Sequence, residues 1–213
     1  MVELSTASGL WKDIAVPERA SEHAVKPPSR AEAEAAVRTL LLWAGDDPDR
    51  EGLRDTPARV VKAYEEFFSG YRSHVRDLAT HIFTEVHGYN DLVLVRDLVF
   101  ASHQADNLLP FRGKVHIGYY PGAAGVVGLP KIERLVDVLA RRLHTQESFT
   151  GLIAATIDKY LQPEGCAVMV EASHLYAQVL GAKREGGGTI TTQYTGIFKE
   201  AARQMRFFSL VRG

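Results

Sequence analysis

Lys131 and Arg134 stand three residues apart in the run Leu129-Pro130-Lys131-Ile132-Glu133-Arg134, a spacing that puts both cations near one helix start, where bound anions are already favoured. An ordinary solvated helix face would look the same. Gln146 and Glu147 open a second helical run, and a carboxylate there is stabilised by the helix dipole whether or not it also meets a ligand. Cys166 is the only cysteine, so it supports no disulfide framework, and with no motif around it the residue reads as part of a core.

The elements that must carry these side chains are legible from period and punctuation. Residues 1–28 lack sustained periodicity and end in Lys26-Pro27-Pro28, which predicts a flexible amino-terminal arm. Ser29 followed by Glu32 has the form of a capping box, opening a helix that runs to Trp43 and stops at Gly45. Thr56-Pro57 then supplies an N-cap and a first-turn proline for a helix with Val60, Val61, Tyr64, Phe67 and Phe68 on one face. The period changes at Leu92, where a β-branched run to Phe100 predicts a strand; Lys114 to Tyr120 predicts its partner, with Ser102 to Gly113 as a loop between them. Helices follow over 130–142 and 148–161, then strands over 167–172 and 189–194 joined by a glycine-rich connection, then a frayed end.

With 46% apolar and 24% charged residues among 213, and 25 Lys+Arg against 26 Asp+Glu, the chain reads as an ordinary globular domain with no nucleic-acid-binding tail. The first residues show neither a basic segment nor an apolar run, and no stretch approaches a membrane span of roughly 20 apolar residues. A cytoplasmic location is the expectation, with no membrane or nucleic-acid partner. The class is α+β: four antiparallel strands, both inner helices on one face, and an amino-terminal helical annex. Such a sheet exposes two edges, which predicts pairing between subunits.

The stretches Glu51-Gly52-Leu53-Arg54-Asp55-Thr56-Pro57-Ala58-Arg59-Val60, Phe68-Ser69-Gly70-Tyr71, Gly113 to Tyr119, Gly128-Leu129-Pro130-Lys131-Ile132-Glu133-Arg134 and Arg141-Arg142-Leu143-His144-Thr145-Gln146-Glu147 resemble GTP cyclohydrolase I, from about Ala31 to Phe208. The resemblance implies the tunnelling fold, in which strands of several subunits close into a barrel and two rings stack, commonly as a decamer with active sites between subunits. It divides the chain into the arm 1–28, a helical region 29–90 and a tunnelling-fold domain 91–213. It also implies hydrolytic opening of the guanine imidazole ring of GTP at C8, with loss of formate and recyclisation to dihydroneopterin triphosphate.

The family holds zinc with a Cys and a His in a Ser-x-Cys-Glu-His-His stretch and with a second Cys in a His-x-Cys stretch. The matching positions here are Gln104 and Asn107 in Ser102-His103-Gln104-Ala105-Asp106-Asn107, and Tyr176 in His174-Leu175-Tyr176. Amide and phenol oxygens are poor zinc ligands, so no metal and no other cofactor is expected. His174 keeps a catalytic position and Asp106 takes another. An Asp near a His can orient it and let it act as general acid or base without a metal, while Asn107 and Tyr176 could donate to a developing oxyanion; a satisfied polar network in place of the zinc is the equal alternative. His103, Asp106 and His174 could instead hold a harder metal.

By the same resemblance Gln146 and Glu147 read guanine, the carboxylate accepting the N1-H and 2-amino hydrogens together, and Lys131 and Arg134 contact the triphosphate. Pro130 and Leu180 replace a Ser and an Arg of the phosphate side, which implies fewer phosphates on the ligand or none. The leading expectation is a zinc-independent enzyme acting on a guanine-nucleotide, purine or pteridine-like ring, assembled as a homo-oligomer. A non-catalytic sensor or partner subunit, and authentic GTP cyclohydrolase activity, are the other readings.

Overall fold

The computed structural model describes residues 27–73, 82–83, 89–123, 125–175 and 188–213; the expected arm lies almost wholly outside that set, as do Tyr176, Leu180 and most of the glycine-rich connection. Helix α1 (Arg30–Trp43) starts as the sequence predicts, the Glu32 amide donating to Ser29 Oγ at 3.3 Å and the Ser29 amide to Glu32 Oε2 at 2.7 Å. Helix α2 (Thr56–Phe67) begins one residue earlier than expected: Asp55 is the cap residue, and its carboxylate turns to Arg59 at 3.2 Å instead of to the backbone. A 3₁₀ turn over Ser69–Tyr71 docks on the end of the next helix, and a Cβ on Gly70 would lie 2.2 Å from the Val138 carbonyl oxygen, so only glycine fits there.

Strands β1 (Ile82–Phe83) and β4 (Val126–Val127) pair as a short ribbon. The main sheet holds β2 (Val93–Gln104), β3 (Pro110–Tyr120), β5 (Leu143–His144), β6 (Gly165–His174) and β7 (Thr189–Tyr194) in the order β5-β2-β3-β6-β7, antiparallel except where β5 lies beside the end of β2. The loop expected over 102–113 is therefore mostly sheet. Ser102 and His103 look like loop residues because they are polar, yet they continue the ladder opposite Phe111 and Pro110, and the true connection is a tight turn.

Helices α3 (Leu129–Ala140) and α4 (Gln146–Leu161) cover one face. Strand alternation sends Val115, Ile117 and Tyr119 there, against Leu135, Leu139, Phe149, Ile153 and Ile157. Cys166 is fully buried, and desolvation pushes its thiol well above the ordinary range, which makes it an inert packing group as expected. The end expected to fray is instead a 3₁₀ turn (Gly196–Lys199) followed by helix α5 (Ala201–Arg212). It packs on the opposite face, where Phe198 and Phe207 meet Leu92, Tyr120 and Met169. A Cβ on Gly118 would come 2.7 Å from the Phe207 ring, so this glycine makes the seat for α5. Among the described residues no helix is long and apolar enough to cross a membrane.

Candidate active site

His174 ends β6, and its two ring nitrogens are taken by two amides. Nε2 lies 2.8 Å from Gln146 Oε1, and Nδ1 faces the side-chain nitrogen of Gln104. Phe111, its cross-strand neighbour, stacks on the ring at 5.2 Å between centroids and 11° between planes. Gln146 is the first residue of α4, whose start is pinned by Thr145 and Ser148 in reciprocal caps. Its side chain does not open toward solvent: it is 2% exposed, and Nε2 donates its two hydrogens to Val170 O at 3.0 Å and Thr189 O at 2.8 Å, with Thr191 Oγ1 a longer neighbour at 3.2 Å. Thr191 Oγ1 is in turn 2.6 Å from Thr150 Oγ1. Helix α4 and three strands thus meet in one polar relay at the edge of an apolar core.

Gln104 closes β2. Its backbone amide donates to Leu109 O at 2.9 Å and its carbonyl accepts from Leu108 N at 3.0 Å, while the Ala105 amide donates to His144 O at 3.0 Å. The turn between is finished by Asn107, whose Oδ1 accepts the Leu109 amide at 2.8 Å, with Leu108 in the left-handed region at φ 61°. Asp106 is exposed on this turn. Among the described residues His174 meets Gln104, Gln146 and Phe111, so the expected Asp106–His174 pair is not formed and the partner of His174 is an amide.

His103 points the other way from Gln104, as adjacent strand residues must, and its ring sits 4.7 Å from Phe67 and 5.4 Å from Phe68 between centroids. Burial lowers its pKa, favouring the neutral ring. The alternative metal trio of His103, Asp106 and His174 is therefore not assembled. A wide cleft, about 960 Å³, lies on this side, lined by Tyr64, Phe67, His103, Arg112 and Lys114 among others, and contains neither His174 nor Glu147. Convergent polar groups rather than volume mark the candidate site.

Glu147 is exposed at the amino-terminal turn of α4, open to a ligand from outside the chain. Lys131 and Arg134 lie on the first turns of α3, and Lys131 lines a crevice with Ile157, Tyr160 and Leu161 at the far end of α4. Fourteen residues of helix at 1.5 Å each separate that end from Gln146, about 20 Å. Within one chain the two expected halves of the ligand site are not brought together.

The sequence model of the GTP cyclohydrolase I family matches residues 33–212. The chain belongs to that family. Proteins named GTP cyclohydrolase 1 from Brucella abortus (strain S19) and Brucella melitensis biotype 2 (strain ATCC 23457) are each 53% identical over 188 residues, covering 88% of this chain and 88% of each relative. The solved structure of the archaeosine synthase QueF-Like in the apo form aligns over 49% of this chain and 93% of that one, at 15% identity and a TM-score of 0.41.

At the two described ligand positions the donors do not fit the zinc of the GTP cyclohydrolase I pattern. At the first ligand position Gln104 presents an N–H, which cannot coordinate a cation; at the second Asn107 has its oxygen spent on the turn. Tyr176, the third, lies outside the described residues, and among those described no three His, Cys, Asp or Glu side chains converge to hold an ion. Sequence reasoning missed the direction of Gln146, although a signal was present: Gln146, Phe149, Thr150, Ile153 and Ile157 share one helical face, which is the buried one.

Proposed function

We propose that this member of the GTP cyclohydrolase I family binds a guanine-nucleotide, purine or pteridine-like ring and carries out a hydrolytic or cyclising step on it without family-type zinc. The observation that carries the reading is His174, held on both nitrogens by amides at the place where the family pattern has its metal. Glu147 accepts two hydrogens from the heterocycle's edge, and the α4 amino terminus beside it favours the part of the ligand that gains negative charge. His174 Nδ1 takes a proton from the attacking water once Gln104 swings aside, and returns it to the leaving nitrogen. Asp106 and Asn107, on the turn after Gln104, and Tyr176, two residues after His174 in the sequence, are assigned to ligand contacts.

The separation of Lys131 and Arg134 from Glu147 supports a composite site, in which one chain reads the ring and a neighbouring copy supplies the cations. A homo-oligomer with paired sheet edges, a decamer by resemblance, accommodates this, with 29–90 as a helical region on a tunnelling-fold domain 91–213. No other cofactor enters the scheme, and a cytoplasmic enzyme without nucleic-acid or membrane partners is the setting.

Two observations favour other readings. Relatives 53% identical carry the name GTP cyclohydrolase 1, which favours that activity itself; a relay with every hydrogen bond spent favours a binding protein without turnover. Calorimetry with GTP, GMP, guanosine and pterins, followed by product analysis, separates them. Glu147→Ala is expected to weaken the tightest of these ligands about 10- to 100-fold, the loss of a charge-assisted pair of roughly 1.5–3 kcal/mol. An unchanged affinity would remove Glu147 from the site. Neopterin formation that needs added zinc would establish the first alternative.

A further inference from the structure

We infer that Gln146 is a positioning residue that acts through His174, fixing its imidazole as the Nε2–H tautomer, and that Gln104 caps the remaining lone pair at Nδ1 where the family pattern places a metal ligand. This rests on the reading of His174 as the site's base. The carbonyls of Val170 and Thr189 can only accept, so they fix which end of the Gln146 amide faces them: the nitrogen, at 3.0 and 2.8 Å. The oxygen of that amide is then turned toward His174 Nε2 at 2.8 Å, and an acceptor there requires Nε2 to carry the hydrogen. In the neutral ring Nδ1 is left with its lone pair, and the Gln104 amide nitrogen meets it with a donor. Each link determines the next.

The consequence differs from what the spacing of Gln146 and Glu147 implies. Gln146 is buried with every polar atom committed, so its side chain does not read a ligand; Glu147, one residue on, is the exposed member of the pair. Gln104 is half-buried and among the described residues its side chain is held by the bond to His174 alone, and it is the link that can open.

The test is nitrogen NMR of the full chain in its native assembly, labelled with ¹⁵N at histidine, with His174 identified by its absence in His174→Gln. The ligand-free protein is expected to show His174 with a protonated Nε2 and an unprotonated Nδ1. Gln104→Leu is expected to keep that pattern, because Gln146 sets it. Gln104→Glu places an acceptor on each side of the ring, and both nitrogens are then expected to be protonated at neutral pH. A wild-type ring with hydrogen on Nδ1, a neutral Gln104→Glu ring with its lone pair at Nε2, or added zinc that binds stoichiometrically and shifts Nδ1 would overturn the inference. None of these readouts uses turnover, so a protein that turns nothing over can still pass, and an active one can fail.

Discussion

The face of the sheet under α3 and α4 and the face under α5 are built from the same strands, but one chain covers them to different extents. Under α3 and α4, Leu139, Phe149, Ile153 and Ile157 are at most 1% exposed, and the polar relay sits at the rim of that packing. On the other face α5 covers one end only; beyond it Val99 is 81% exposed and the large cleft opens beside Phe67 and His103. The closed face supplies the chain's own stability and aligns the relay. The half-open face and, among the described residues, the outer edge of β7 and the part of β2 that β5 does not cover are where the proposed pairing between copies would add cover.

Truncating one aromatic on each face breaks the comparison most directly. Phe149 is fully buried and touches the Phe100, Phe111 and His144 rings, so Phe149→Ala is expected to cost about 3–5 kcal/mol, read as a lower urea midpoint for the whole protein. Phe207 is equally buried, but it belongs to the smaller cluster on the other face, with Leu92, Tyr120, Met169 and Phe198, over the Gly118 seat. Phe207→Ala is expected to speed amide exchange across 201–212 by 100-fold or more, about 3 kcal/mol, before the strands respond. If both variants lost protection uniformly, the two faces would be one cooperative unit and the distinction would fail.

The closed face also carries a titratable ring. His144 donates from Nε2 to Leu139 O at 2.8 Å, and desolvation lowers its pKa to about 4. Above pH 6.5 the ring is neutral folded or unfolded and costs nothing. Between 6.5 and about 4 the unfolded chain takes up a proton that the folded chain refuses, so stability falls as the pH falls, by about 3 kcal/mol across the window. Unfolding free energies measured from pH 7 to 4 should show this slope, and His144→Leu should flatten it at the expense of the bond to Leu139.

These contrasts explain what could be read ahead of the structure. Strand β7 was legible from its β-branched run Thr189 to Thr192 and the cores of α3 and α4 because their apolar residues keep one period, and Ser29 with Glu32 announces a helix start by local bonds alone. Helix α5 was not, because among its residues only Phe207 is buried and that burial depends on Gly118, far away in sequence. Ser102 to Gln104 read as loop since polar side chains at a sheet's end look like a connection. In the candidate site, resemblance is what singles out His174 and Glu147, while the orientation of Gln146 is dictated by carbonyls of Val170 and Thr189, which no local pattern brings near it. The Asp106 partnership failed for the same reason: a tight turn directs Asp106 outward and leaves the preceding strand residue, Gln104, beside the ring.

The smallest expected effect concerns how α5 is tied down. Arg206 meets Asp91 through two bonds, Nη1 to Oδ1 at 2.6 Å and Nη2 to Oδ2 at 2.9 Å, and Nη1 also reaches the Tyr120 hydroxyl at 3.1 Å. Arg206 and the Leu92 amide hold the Asp91 carboxyl down to about 2, from an ordinary 3.8. A depressed carboxyl stabilises the folded form above its unfolded value and loses that contribution as the pH falls through 3.8 toward 2. The pair is exposed, so salt screens it and its effect is modest. Asp91→Asn should raise exchange in α5 slightly at low ionic strength, the difference vanishing in high salt, with no change in the amides of β3 and β6. A loss that persisted in salt and spread into those strands would mean that α5 is bound into the closed face's cooperative unit after all, and that its attachment depends on more than Phe207 and one surface pair.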